Sequence, residues 1–172
     1  FTGEEQGKGL GVGLSLASIP IVLVGLTFGQ TVKAFLFNDV AIAIGLIVGG
    51  LIIIWIEKNP PVVKAEEVED MSYKDMIWIG LIQVLSLIPG TSRSGATIIG
   101  AMYLGVSRKA ATEFSFFLAV PTMLAVTCYS VFLKTYDKSG LKGFELILKS
   151  EENTKMFIVG NVVAFVVAVL AI

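Results

Sequence analysis

Polar and apolar residues in this chain fall into long blocks rather than alternating, and the block lengths are those of membrane spans. Crossing the hydrocarbon of a bilayer as a helix takes about 20 mostly apolar residues. Residues 10–28, 40–56 and 110–133 meet that length, and 156–172 meets it if the helix continues. Two polar stretches separate these blocks. Residues 57–75 hold six acids against three lysines, and residues 134–155 carry five lysines. Both are expected as solvated connections.

Residues 76–107 fit neither pattern. They are too many for one ordinary span and too few for two spans of about 20 residues with a turn between them. The pattern predicts a re-entrant hairpin: a short helix entering to Ile88, a break at Pro89-Gly90, and a second short helix returning from Ser92 to Val106. Irregular backbone at membrane depth is tolerated only where protein covers it or a water-filled cavity adjoins it, so the break is expected to line a cavity.

The apolar blocks also repeat. Ala17-Ser18-Ile19-Pro20-Ile21-Val22-Leu23 resembles Leu118-Ala119-Val120-Pro121-Thr122-Met123-Leu124, each with a proline inside a span. Each is followed by small residues at four-residue spacing, Gly45 and Gly49 in one case, Gly160 and Ala164 in the other, which lets helices approach closely. The shared order predicts two inverted repeats, with a counterpart of the hairpin preceding Phe1, so that residues 1–172 read as one membrane domain of a longer protein. Sites in such folds lie near the midplane where the repeats meet. Charge does not choose an orientation, because a returning hairpin leaves six basic residues on each face. The fold class expected is an all-α integral membrane protein, a helical bundle with inverted-topology repeats and re-entrant helical hairpins.

Composition agrees, with 55% hydrophobic and 16% charged residues. A net charge of −1 argues against nucleic acid as a partner. The lone Cys128 cannot form an internal disulfide, and the absence of histidine removes the commonest general base and zinc ligand from these residues.

Between Met76 and Ser107 the only charge at neutral pH is Arg93. An ionisable residue inside a membrane segment marks a functional site by default. It sits in Pro89-Gly90-Thr91-Ser92-Arg93-Ser94-Gly95-Ala96-Thr97, where a helix begins after a break. Unpaired amides and the positive end of the helix dipole favour an anion there. Gly90 admits close backbone approach, and the Arg93 fork suits phosphate oxygens. Thr97 shares a helical face with Arg93, and Thr91, Ser92 and Ser94 supply hydroxyls. The alternative is structural: hydroxyls satisfying carbonyls freed by the break, and Arg93 paired with an acid on a neighbouring helix. Gln83 either faces the cavity or bridges helices. Glu113 either pairs with Lys109, four residues earlier, or lies near the site.

Gly80-Leu81-Ile82-Gln83, the motif Pro89-Gly90-Thr91-Ser92-Arg93-Ser94-Gly95-Ala96-Thr97, Gly105-Val106-Ser107-Arg108, Glu113-Phe114-Ser115-Phe116 and Ala119-Val120-Pro121 together resemble the second half of the bacterial undecaprenyl-pyrophosphate phosphatases. The resemblance implies a multi-pass enzyme of the bacterial inner membrane with its site open to the outer face. It would hydrolyse the lipid-carrier pyrophosphate to the monophosphate used in cell-wall synthesis, with a divalent cation, Mg or Ca. By the same resemblance Arg93 binds the pyrophosphate, and Ser92, Ser94 and Thr97 hold or attack it. Gly90, Thr91, Gln83 and Glu113 are the candidate substrate-binding residues. The partners expected are the lipid pyrophosphate and the membrane, with a homodimer as the candidate assembly. The family's glutamate-rich segment and Ser-Ser-Thr-Gly-His motif are not in this sequence, so the acidic metal ligands are expected outside it. A second class remains open, a secondary transporter of polyprenyl phosphate or another anionic lipid with a midplane anion site.

Overall fold

A computed structural model describes residues 3–136 and 140–171. It divides into two units, Phe1–Met123 and Leu124–Ile172.

In the first unit, helix α1 (Gly3–Leu36) runs through Pro20 without ending. Helix α2 (Asp39–Lys58) starts where the Asn38 side chain accepts the Ala41 amide at 2.8 Å, with Asp39 at the positive end of the dipole. Ile56 is the one buried residue of α2, so its apolar surface faces outward. Helix α3 (Tyr73–Gln83) begins at a capping box, Ser72 and Asp75 each taking the other's backbone amide at 3.2 Å. It tightens into a 3₁₀ turn over Val84–Leu87, short of the expected end at Ile88. After the break comes α4 (Arg93–Tyr103), which stops before the expected Val106 because Gly105 takes φ +91°. Helix α5 (Arg108–Cys128) contains Pro121 and crosses from the first unit into the second.

The two arms α3 and α4 pack on each other, so closely that a Cβ on Gly100 would lie 2.8 Å from the Ile82 side chain. The segment ahead of α3 also meets the chain that follows α4. Lys64 donates its amide to the Gly105 carbonyl at 2.7 Å, and Ser107 donates its amide to Ala65 at 2.8 Å and its hydroxyl to the Glu66 carbonyl at 2.7 Å. The Lys109 ammonium reaches the Glu67 carboxylate at 2.9 Å. Residues 57–75 are therefore not a bare solvated loop. Ala65, Val68 and Met71, three residues apart, turn inward and join Ile79, Ala101, Val106, Ala110 and Phe114 in the core, while the acids between them stay exposed. A three-residue apolar period is what a 3₁₀ turn needs, and one forms at Val68–Asp70.

In the second unit, α5 ends in a π-helical turn over Tyr129–Leu133. The stretch expected as a solvated connection folds into a small hairpin, β1 (Thr135–Tyr136) and β2 (Leu141–Lys142), and a short helix, α6 (Gly143–Leu148). Helix α7 (Glu151–Ala171) starts at Glu151 rather than Met156, and Thr154 ties its first turn to α6 through the Ile147 carbonyl at 2.8 Å. Residues 137–139 of the connection, and Ile172 of the expected fourth span, lie outside the described residues.

Four helical stretches among the described residues are long and apolar enough to cross a membrane: Gly9–Gly29, Asp39–Lys58, Arg108–Leu133 and Glu151–Ala171. The protein is an all-α, multi-pass membrane protein.

Candidate functional site

The site is built where α4 starts. Gly90 takes φ +88°, a backbone conformation open to glycine and strained for other residues, and the Thr91 amide closes the turn onto the Ile88 carbonyl at 3.1 Å. The break packs against α2: a Cβ on Gly45 would stand 2.6 Å from the Pro89 carbonyl oxygen, and the open side of Gly90 faces the Ile42 carbonyl.

Ser92 caps α4. Its hydroxyl oxygen accepts the Gly95 amide at 3.1 Å and its carbonyl accepts the Ala96 amide at 2.9 Å. The amides of Arg93 and Ser94 make no hydrogen bond among the described residues, so two backbone donors are left at the positive end of the helix. The Ser92 and Ser94 hydroxyls lie 3.3 Å apart on exposed residues.

Arg93 itself is half-buried, and its Nη1 is buried with no hydrogen-bond partner. Ion pairs among the described residues are Arg108 with Glu57, Lys109 with Glu67 and Lys155 with Glu151. Among the described residues no acid forms the pair with Arg93 that the structural alternative requires. A buried donor without a partner is costly, and here it belongs to the one cation of the hairpin interior.

Two further buried polar pairs fasten the hairpin to α5. Thr97, 2% exposed, has its hydroxyl 2.6 Å from that of Ser115 and 3.1 Å from the carbonyls of both Arg93 and Ser94. Gln83, fully buried, donates Nε2 to the Thr122 hydroxyl at 3.3 Å, and Thr122 spends its own proton on the Leu118 carbonyl at 2.8 Å. That fixes the sense of the amide, because a hydroxyl with its one proton committed can only accept. The Gln83 Oε1 is left buried and without a partner. Of the two alternatives for Gln83, the structure shows the bridge to α5.

Glu113 is not drawn into this cluster by any hydrogen bond. It is exposed and lines a shallow groove with Arg108, Lys109, Thr112 and Phe116 at the start of α5. The expected pairing with Lys109 is replaced by Lys109 to Glu67, because the folded 57–75 segment brings that carboxylate within 2.9 Å. Thr91 is half-buried beside Gly90. Ser115 and Thr122 were not among the residues expected at the site. The signal that could have found them is their seven-residue spacing, two turns of one face of an otherwise apolar helix.

Hydroxyls, free amides and an unpaired guanidinium, with no carboxylate among their hydrogen-bond partners, make a receptor for an anion rich in oxygen. Comparison with known proteins bears on which one. The family model described as bacitracin resistance protein BacA matches residues 2–172. Similar relatives include undecaprenyl-diphosphatase 1 of Acinetobacter baylyi, 61% identical over 99% of this chain and 59% of the relative. Undecaprenyl-diphosphatase 1 of Chromobacterium violaceum is 50% identical over 96% of this chain and 57% of its own length. The undecaprenyl-diphosphatase of Psychrobacter cryohalolentis is 47% identical over all of this chain and 59% of its own. The chain thus spans under three-fifths of the length of these relatives. With the match running over all but its first residue, the chain belongs to the bacitracin resistance protein BacA family.

Proposed function

We propose that this chain carries the phosphate-binding half of a membrane phosphatase that hydrolyses undecaprenyl pyrophosphate to undecaprenyl phosphate and inorganic phosphate. The observation that carries the reading is the buried, unpartnered Nη1 of Arg93, on the same first turn of α4 as two unpartnered amides. In the reaction, oxygen from water ends on the terminal phosphorus, the bridging phosphorus–oxygen bond breaks, and the lipid monophosphate leaves. Arg93 and the amides of Arg93 and Ser94 bind the pyrophosphate oxygens, and charge developing there is met by donors already in place. Ser92 and Ser94 hold the phosphate or supply the attacking oxygen. Gly90 and Thr91 admit it to the break, and Gln83 offers its amide oxygen to a protonated phosphate. Glu113 is assigned to substrate binding through the surface groove it lines at the start of α5.

The described residues do not fit the divalent cation, Mg or Ca, that the family resemblance implies. Such ions want carboxylate and carbonyl oxygens, and no group of acids that could hold one stands among these residues. In this reading the acidic ligands come from elsewhere in the complete protein. Placement in the bacterial inner membrane with the site open to its outer face, pairing as a homodimer, and inverted repeats belong to the same reading. So does the re-entrant course of residues 76–107, which is supported by the hydrogen bonds that residues 64–66 exchange with Gly105 and Ser107. A transporter is not favoured, since relatives at 47–61% identity carry an enzyme's name.

The direct test is phosphate release from undecaprenyl pyrophosphate by the complete purified protein, expected to be robust and to disappear in Arg93→Ala. The hairpin has its own test. In a Cys128→Ser background, cysteines at Glu69 and Lys109 are expected to react with an impermeant maleimide from one side of the membrane and a cysteine at Phe37 from the other. Labelling of Glu69→Cys and Lys109→Cys from opposite sides would remove the hairpin.

A further inference from the structure

We infer that Ser115 is a positioning residue for Arg93, acting through the hydroxyl of Thr97. The inference rests on the proposed function, since it assigns Arg93 the phosphate. Its starting point is a contrast with five other helical hydroxyls of this chain. Ser15, Ser18, Thr27, Thr112 and Thr122 each donate to the carbonyl four residues back, at 2.8–2.9 Å. That is the default for a hydroxyl in an apolar helix, where no water is at hand to satisfy it. Ser115, 4% exposed, makes no such bond to Ala111. It reaches across to α4 instead and meets Thr97 at 2.6 Å.

Each hydroxyl has one proton, and the carbonyls of Arg93 and Ser94 can only accept. The arrangement that satisfies both groups has Ser115 donating to Thr97 and Thr97 donating to the first-turn carbonyls of α4, one of them that of Arg93 itself. The first turn of α4, from which the guanidinium projects, is thereby tied to a spanning helix rather than to its own hairpin alone. A binding group acts only when its supporting contacts hold it within a fraction of an ångström of the productive pose. Thr97 in this account touches the backbone of Arg93 and not the phosphate.

The experiment uses the complete protein in detergent and measures phosphate release against lipid pyrophosphate concentration, inhibition by inorganic pyrophosphate, and thermal unfolding. The variants are Ser115→Ala, Thr97→Val, the double variant, Thr97→Ser and Arg93→Ala. Ser115→Ala and Thr97→Val are each expected to lower kcat/KM about tenfold, the scale of a small misplacement of a positioned group. The inhibition constant for inorganic pyrophosphate should rise in step. The double variant should be no worse than the poorer single one, because both remove the same contact. Thr97→Ser, which keeps the hydroxyl, should stay near the wild-type value. Losses that add in the double variant, Thr97→Ser as poor as Thr97→Val, or losses that follow the unfolding temperature with pyrophosphate inhibition unmoved would overturn the inference. If Ser115→Ala does not fold, the shape-matched Thr97→Val set against Thr97→Ser decides. An inactive Arg93→Ala beside unaffected Ser115 and Thr97 variants overturns this inference alone. A fully active Arg93→Ala overturns both it and the proposed function.

Discussion

Arg93→Lys is expected to slow phosphate release by an order of magnitude or more while the protein still folds. The substitution keeps the positive charge, so simple attraction for a pyrophosphate survives. What goes is the planar fork that lets one side chain hold two oxygens at once, and with it the donor direction of Nη1, now buried without a partner. One charge-assisted hydrogen bond is worth about 1.5–3 kcal/mol, and a tenfold change in rate corresponds to about 1.4 kcal/mol, so losing even one such contact in the transition state accounts for the fall. Folding should not suffer, because no acid among the described residues depends on Arg93 for its counter-charge. The measurement is kcat and KM for the lipid pyrophosphate, with thermal unfolding as the control. Full activity in a well-folded Arg93→Lys protein would mean that the guanidinium does not hold the phosphate.

The spans and the break were legible in the sequence for a simple reason: lipid imposes a length, and proline, glycine and a lone arginine punctuate it. The hydrophobic blocks fall on long apolar helices, and Pro89-Gly90 marked where α3 and α4 separate. Local patterns did less well where tertiary contacts decide. The acids of residues 57–75 advertise solvent, yet Ala65, Val68 and Met71 between them find a core built by α3, α4 and α5, and their backbone pairs with Gly105 and Ser107. Glu67, not Glu113, meets Lys109 for the same reason. At the site, the charge and the hydroxyls of the motif could be read directly, because each is conspicuous against apolar neighbours. Ser115 and Thr122 offered only their seven-residue spacing, since a single hydroxyl in a membrane helix ordinarily bonds its own backbone, and only the folded arrangement reveals that Ser115 does not.

Gly90→Ala should be among the most damaging single substitutions in the chain, although it adds one methyl group. Gly90 adopts φ +88°, where an L side chain meets its own backbone, at about 1–2 kcal/mol. The methyl would also point at the Ile42 carbonyl oxygen of α2, a backbone atom that no rotamer change can move aside. Overpacking of this kind typically costs about 1–3 kcal/mol more. The reciprocal contact leaves no slack, because Gly45 of the same helix is already hard against the Pro89 carbonyl, with 2.6 Å left for a Cβ. Relief therefore requires α2 to move away from the break, and the turn that starts α4 then loses its support just ahead of Ser92 and Arg93. A large drop in unfolding temperature, together with loss of phosphate release, is the expected result. Gly45→Ala should show a smaller version of the same effect, since its φ carries no penalty. Gly49→Ala supplies the comparison: it lies one turn further along α2 with nothing within 4 Å of a new Cβ, and alanine favours helix, so its stability should hold or rise slightly. If Gly90→Ala proved as stable and active as Gly49→Ala, the break would not be seated on α2, and the alignment of α4 toward a ligand would need another explanation.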